Sequence, residues 1–144
     1  MSVYGHLWGT DETRALFEDP GRTRIWLEIL GALAAAQGEL GLIPADAAGA
    51  ISQRMREPVD LEAVAAETRR SGHSTLGLIR VLQTGLDEDA REWIYYGATV
   101  QDVTDTCTGL VMQRMLAIAD RDLAALETAL AALAELHRGT VMLG

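Results

Sequence analysis

Thr99, Val100, Gln101 and Asp102 follow Gly97-Ala98 and open a long, uninterrupted helical pattern. A hydroxyl residue with an acid three places later is a capping-box arrangement, in which the Thr oxygen can accept from a first-turn N–H. The remaining N–H groups and the positive end of the helix dipole face whatever lies ahead of the helix. Small residues at 97 and 98 let a ligand come close to the backbone. A carboxylate or a phosphate suits such a terminus. A cap with no ligand accounts for Thr99 and Asp102 as well.

Other reactive side chains are less well placed. Cys107 lies inside the same helical pattern and reads as a small buried residue rather than a nucleophile. As the single cysteine it excludes an internal disulfide framework and a cysteine-based zinc site. His6 and His137 lack partners at metal-ligand spacing. Arg69-Arg70 reads as a solvated helix end, Asp87 to Asp89 as a solvated turn, and Met112 and Met115 as core filling.

The charge balance narrows the partners. The chain carries 21 acidic residues against 12 basic ones, all arginine, for a net charge of −9. That balance offers no footprint for nucleic acid, so any anion site must be local. Hydrophobic residues make up 49% of the 144, too many for a disordered chain. Charges interrupt every apolar stretch short of a bilayer span, and the first dozen residues lack the pattern of a signal peptide. A cytoplasmic protein that does not bind membranes is expected.

The elements that must position these residues are helical throughout, and the fold class predicted is all-α. Asp19-Pro20 reads as a cap and first-turn proline, starting a helix to about Leu40 that Gly41 and Pro44 end. Further helices are predicted from Pro44 to about Met55, from the Asp60 cap to about Arg70, and from Thr75 to Thr84. Asp87 to Trp93 allows one or two more turns. From Thr99 to Arg138 there is no proline and one glycine, Gly109. Met112, Leu116, Ala119, Leu123, Leu126, Leu130 and Leu133 alternate steps of four and three, a heptad seam for side-by-side helices. Alanines at 124, 125, 129, 131, 132 and 134 leave a second face small. Such a helix outruns the short helices before it, so its apolar surface needs partners.

Tyr95-Tyr96-Gly97-Ala98-Thr99-Val100-Gln101-Asp102-Val103-Thr104-Asp105-Thr106 resembles the first conserved region of the aspartase/fumarase superfamily. In adenylosuccinate lyases and 3-carboxy-cis,cis-muconate cycloisomerases that region reads His-(aromatic)-Gly-Ala-Thr-Ser-Gln-Asp-x-x-Asp-Thr. The stretch from Leu33 to Pro44 is similar to the opening helix of the same group. Ser71-Gly72-His73-Ser74 falls where adenylosuccinate lyases carry a substrate-binding His-Asp pair. His137 to Gly144 resembles the run before a conserved Arg-Thr-His.

The resemblance implies a small helical N-terminal domain over residues 1–95 and the start of a central helical bundle over 96–144, in a homotetramer. It implies anti β-elimination beside a carboxylate, or the related lactonisation, with no cofactor and no metal. A non-catalytic helical oligomerisation module or an inactive paralogue remains the alternative. Thr99 would bind a substrate carboxylate, His73 a polar or phosphate part of the substrate, and Gln101 matches the pattern beside them. Val100 stands where the usual motif has serine, and Tyr95 where it has histidine. Tyr4 lies where some relatives place an Arg-Tyr that touches phosphate. No catalytic residue is assigned within the 144. The family's later Arg-Thr-His and Gly-Ser-Ser-x-Met-Pro loop have no counterpart here, so the chain is expected to be an N-terminal part, inactive alone.

Overall fold

The computed structural model describes Leu7 and residues 9–141, and all regular structure among them is helical. A short leading helix, α1 (Asp11–Ala15), is followed by the long α2 (Asp19–Glu39). The sequence reading did not anticipate α1, which has no apolar periodicity. It rests on a capping box in which Thr10 and Thr13 satisfy each other's backbone N–H. In α2 the N-cap is Glu18 rather than Asp19, with Asp19 and Pro20 inside the first turn. Proline is tolerated throughout that turn because its missing N–H has no intrahelical partner.

Gly41 ends α2 as expected: it sits at φ 69, and Leu42 N–H closes back on the Gln37 carbonyl at 2.9 Å. Pro44 caps α3 (Ala45–Arg54), and the Asp60 carboxylate caps α4 (Leu61–Ser71) by accepting from Glu62 and Ala63 N–H. Two shorter helices follow, α5 (Leu76–Gln83) and α6 (Glu88–Arg91). The last, α7, runs without a break from Val100 to Leu136.

The chain divides into two compact units, Met1–Leu110 and Val111–Gly144. In the first, α2 packs on α3, α4 on α5, and α3 on α6. Its core gathers Ile25, Trp26 and Leu30 of α2, Ile51 of α3, and Leu78 and Leu82 of α5, each at most 8% exposed. Val103 and Cys107 anchor the first turns of α7 in the same core, with Cys107 buried as the sequence predicts. Two glycines set the closeness of packing. A Cβ on Gly38 would lie 2.5 Å from that of Ala48, and one on Gly77 would overlap the Thr68 hydroxyl and approach its backbone nitrogen to 2.7 Å.

The second unit is α7 beyond Leu110 and the residues after it. Its heptad seam is uncovered: Met112, Leu116, Leu123, Leu126, Leu130 and Leu133 are each 51–67% exposed. No described helix is long and apolar enough to cross a membrane.

Candidate functional site

The break between α4 and α5 is built around His73. Gly72, at φ 64, ends α4. Ser71 Oγ donates to the Thr68 carbonyl at 3.4 Å and accepts the His73 N–H at 3.3 Å. The imidazole then turns toward α5, where Nδ1 accepts from Thr75 N–H at 3.2 Å and Leu76 N–H at 3.1 Å. Thr75, in the N-cap position, makes no side-chain cap bond. His73 therefore caps α5 from two residues upstream. An accepting Nδ1 places the imidazole proton on Nε2, which becomes the donor the side chain can offer to a ligand.

The opposite wall is the turn between α6 and α7. Consecutive turn bonds run from Trp93 N–H to the Ala90 carbonyl, Tyr96 to Trp93, and Ala98 to Tyr95. Trp93 and Tyr96 meet edge to face with ring centroids 5.0 Å apart. From α2, Gln37 Nε2 donates 2.8 Å to the Tyr96 carbonyl and ties the turn to the first long helix. Gly97 takes φ 68 just before α7. Tyr95 also has a positive φ, 66, and is the only non-glycine residue among those described to do so. A left-handed backbone at a residue with a Cβ costs about 1–2 kcal/mol.

At the start of α7 the capping box is half made. Asp102 Oδ2 accepts the Thr99 N–H at 2.8 Å. The reciprocal bond, expected from a first-turn N–H to the Thr99 oxygen, is not formed, and that hydroxyl makes no hydrogen bond to any described residue. The box depends on the exact rotamer of both partners, and here the acid alone closes the turn. The Thr99 oxygen keeps both its donor and its acceptor capacity.

His73, Leu76, Tyr95, Ala98, Thr99 and Val100 line one cleft of about 310 Å³. The fold thus brings His73 and Thr99 together with Val100. Gln101 is not in that lining: it faces solvent, with its amide donating 2.7 Å to Asp105 Oδ1 one helical turn on. Tyr4 lies outside the described residues. Tyr95, noted in the sequence only as a departure, is a wall of the cleft, as are Leu76 and Ala98. No local signal marks a tyrosine for a positive φ, so only the folded turn reveals it. Partial burial pushes the Tyr95 phenol above its ordinary range, and the Asp102 carboxylate adds to this. At neutral pH the phenol is a protonated donor.

Among the described residues no guanidinium lines this cleft. Arg70 pairs with Glu67 at 2.7 Å, while Arg69 lies with Arg22 and Trp26 around a separate cleft of about 370 Å³ between α2 and α4. Among the described residues no three His, Cys, Asp or Glu side chains gather closely enough to hold a metal ion.

Known proteins share this arrangement of helices. No protein-family model matches the chain. The N-acetyl-S-(2-succino)cysteine lyase of Dickeya dadantii is 36% identical over 143 residues, covering 99% of this chain and 31% of that protein. The adenylosuccinate lyase of Methanothermobacter thermautotrophicus is 34% identical over 138 residues, covering 95% of this chain and 31% of its own length. A fumarate lyase crystal structure from Mesorhizobium sp. BNC1 superposes with a TM-score of 0.88 at 36% identity, covering 99% of this chain and 34% of that one. The chain spans about a third of the length of the relatives it matches.

Proposed function

The relatives being members of the fumarate lyase superfamily, we propose that this chain supplies the carboxylate-binding part of a cytoplasmic lyase. The reaction is anti β-elimination beside a carboxylate: a base removes the proton on the carbon next to that group, and the leaving group departs from the neighbouring carbon. Negative charge spreads onto the carboxylate as the proton leaves. Donors placed around it stabilise the transition state more than the ground state. Thr99 offers its hydroxyl, the start of α7 its N–H groups and dipole, and His73 its Nε2–H to a polar arm of the substrate. The observation that carries this reading is the meeting of His73 and Thr99 in one cleft.

The proton-abstracting base is assigned to no residue of the 144. A small carboxylate is the partner proposed, without cofactor, in a homo-oligomer that is tetrameric in the complete enzyme. Gln101 acts at one remove, holding Asp105 on the exposed face of α7. The exposed seam also suits a second reading, a non-catalytic oligomerisation module.

Turnover separates the two. The protein at its full encoded length should release an unsaturated dicarboxylate from a succinyl substrate, and the 144 residues alone should not. A reading frame that continues past Gly144 with Arg-Thr-His and later Gly-Ser-Ser-x-Met-Pro supports the enzyme. Full-length protein that binds no dicarboxylate and turns over no succinyl compound leaves only the module.

A further inference from the structure

We propose that Ser71 is a positioning residue: it touches no ligand, and it fixes the backbone from which His73 presents its Nε2–H to the polar arm of the substrate. The inference rests on the lyase reading and deepens it by naming the side chain on which the His73 contact depends.

Ser71 is the last residue of α4, and the chain leaves that helix through Gly72 in the left-handed region. The Gly72 N–H closes on the Thr68 carbonyl at 2.9 Å. In a common glycine ending the next N–H turns back to a helix carbonyl as well. Here the His73 N–H donates to Ser71 Oγ at 3.3 Å instead, and it has no other partner among the described residues. That hydroxyl is itself oriented. It donates to the Thr68 carbonyl at 3.4 Å, which leaves its lone pairs to accept from His73.

The ring end of His73 is held by the same joint. Nδ1 accepts from the Thr75 and Leu76 N–H groups that open α5. The Thr75 hydroxyl, fully buried and without a hydrogen-bond partner, does not compete for that cap. Gly77 lets α5 lie directly on Thr68, the residue whose carbonyl anchors Ser71. Backbone and imidazole of His73 are thus both tied to the crossing of α4 and α5. Ser71 is absent from the cleft lining, so its effect on a ligand passes through His73. Without the Ser71 oxygen the His73 N–H is left to water, and the ring can leave α5 and carry its proton on either nitrogen. A smaller share of molecules then holds the donor ready, and affinity falls by that share.

The test is steady-state kinetics of the full-length protein on two succinyl compounds, N-acetyl-S-(2-succino)cysteine and adenylosuccinate, with fumarate as an inhibitor that has no polar arm. Ser71→Ala should raise KM for the compound turned over by roughly three- to tenfold, the worth of one hydrogen bond. The value of kcat should hold, as it does when only uniform binding is lost. The fumarate inhibition constant should not change. Ser71→Thr returns the hydroxyl and should restore KM. His73→Asn keeps an acceptor at the δ1 position for α5 and removes the Nε2 donor. It should raise KM at least as much, and Ser71→Ala should add nothing to it, because two residues acting through one contact are not additive. Nitrogen NMR spectra of protein labelled at histidine give a second readout, the His73 signals being assigned by their loss in His73→Asn. They should report the Nε2–H form in wild type and a mixture of the two neutral forms in Ser71→Ala. A merely structural Ser71 would lower the melting point and weaken fumarate together, and leave the imidazole spectrum alone. If Ser71→Ala leaves KM and the spectrum as in wild type, or adds its full effect to that of His73→Asn, Ser71 does not position His73 and the lyase reading stands. If His73→Asn leaves KM unchanged, His73 makes no substrate contact and the inference falls with that part of the reading. If neither compound is turned over, the lyase reading fails and takes this inference with it.

Discussion

Asp102 turns its carboxylate back 2.8 Å onto the backbone N–H of Thr99 and closes the first turn of α7 without help from the Thr99 hydroxyl. The cap at this helix start therefore rests on Asp102, and the ligand binding proposed above rests on Thr99. Removing the hydroxyl from a threonine that caps its helix costs about 0.5–2 kcal/mol. Here Thr99→Ala should cost less than about 0.5 kcal/mol, as at a surface position that holds no cap bond. In the full-length protein it should lower the rate by roughly 10²–10³, the loss seen when one donor to developing negative charge is removed. Thr99→Ser should be mild in both. Asp102→Ala should cost about 1 kcal/mol. Melting curves beside steady-state kinetics check all three; an unchanged rate per folded Thr99→Ala molecule would remove Thr99 from the site.

The Tyr95 phenol should make stability depend on alkaline pH. Partial burial and then the Asp102 carboxylate hold its folded-state pKa above the ordinary 10.0. The folded state thus favours the protonated phenol. That stabilisation is fully present below the unfolded pKa and is lost as pH rises through the folded one. Melting temperatures from about pH 9 to about pH 11 should fall more steeply for wild type than for Tyr95→Phe. Parallel slopes would mean that the phenol titrates alike in both states.

Two helical glycines should respond in opposite directions to the same change. A Cβ at Gly77 would meet the backbone and hydroxyl of Thr68, where α5 crosses α4. Gly77→Ala should destabilise by about 1–3 kcal/mol, the usual range for overpacking. Gly49, exposed in α3, has nothing within 4 Å of a new Cβ. Gly49→Ala should stabilise by about 0.5–1 kcal/mol, because alanine loses less backbone entropy in a helix. Urea melts of both variants measure the contrast.

The seam of the second unit should drive association. Leu123, Leu126, Leu130 and Leu133 each expose more than half of their surface along one stripe of α7. A contiguous apolar stripe of this kind marks an interface. Light scattering at micromolar concentration should give a dimer or larger. Leu126→Glu with Leu130→Glu should return a monomer that keeps its helicity. A well-folded wild-type monomer would contradict the bundle-helix reading.

Much of the helical order was legible because helix ends are local events. Gly41 and Gly72 adopt the left-handed caps their side-chain-free backbones permit, and Asp60 caps the turn that follows it. The seam from Met112 to Leu133 is a property of spacing alone, and the structure leaves it exposed. The start of α2 slipped by a residue because a proline fits anywhere in a first turn, and α1 escaped notice because two threonines rather than an apolar stripe hold it. At the candidate site the sequence marked Thr99 as a helix start, and likeness to the lyases marked His73. The Gln101 bond to Asp105 was legible as well, since an acid four residues later on a helix is a natural partner. Three things needed the tertiary structure. The His73 imidazole becomes a cap only once α5 forms beside it. The Thr99 hydroxyl is left out of the cap, which Asp102 closes alone through the Thr99 N–H, and only the folded turn shows this. Tyr95 becomes a wall only because Gln37, 59 positions from Tyr96 in the chain, holds the turn by its carbonyl. Side chains so far apart in sequence meet through the packing of helices, and no local spacing encodes that distance.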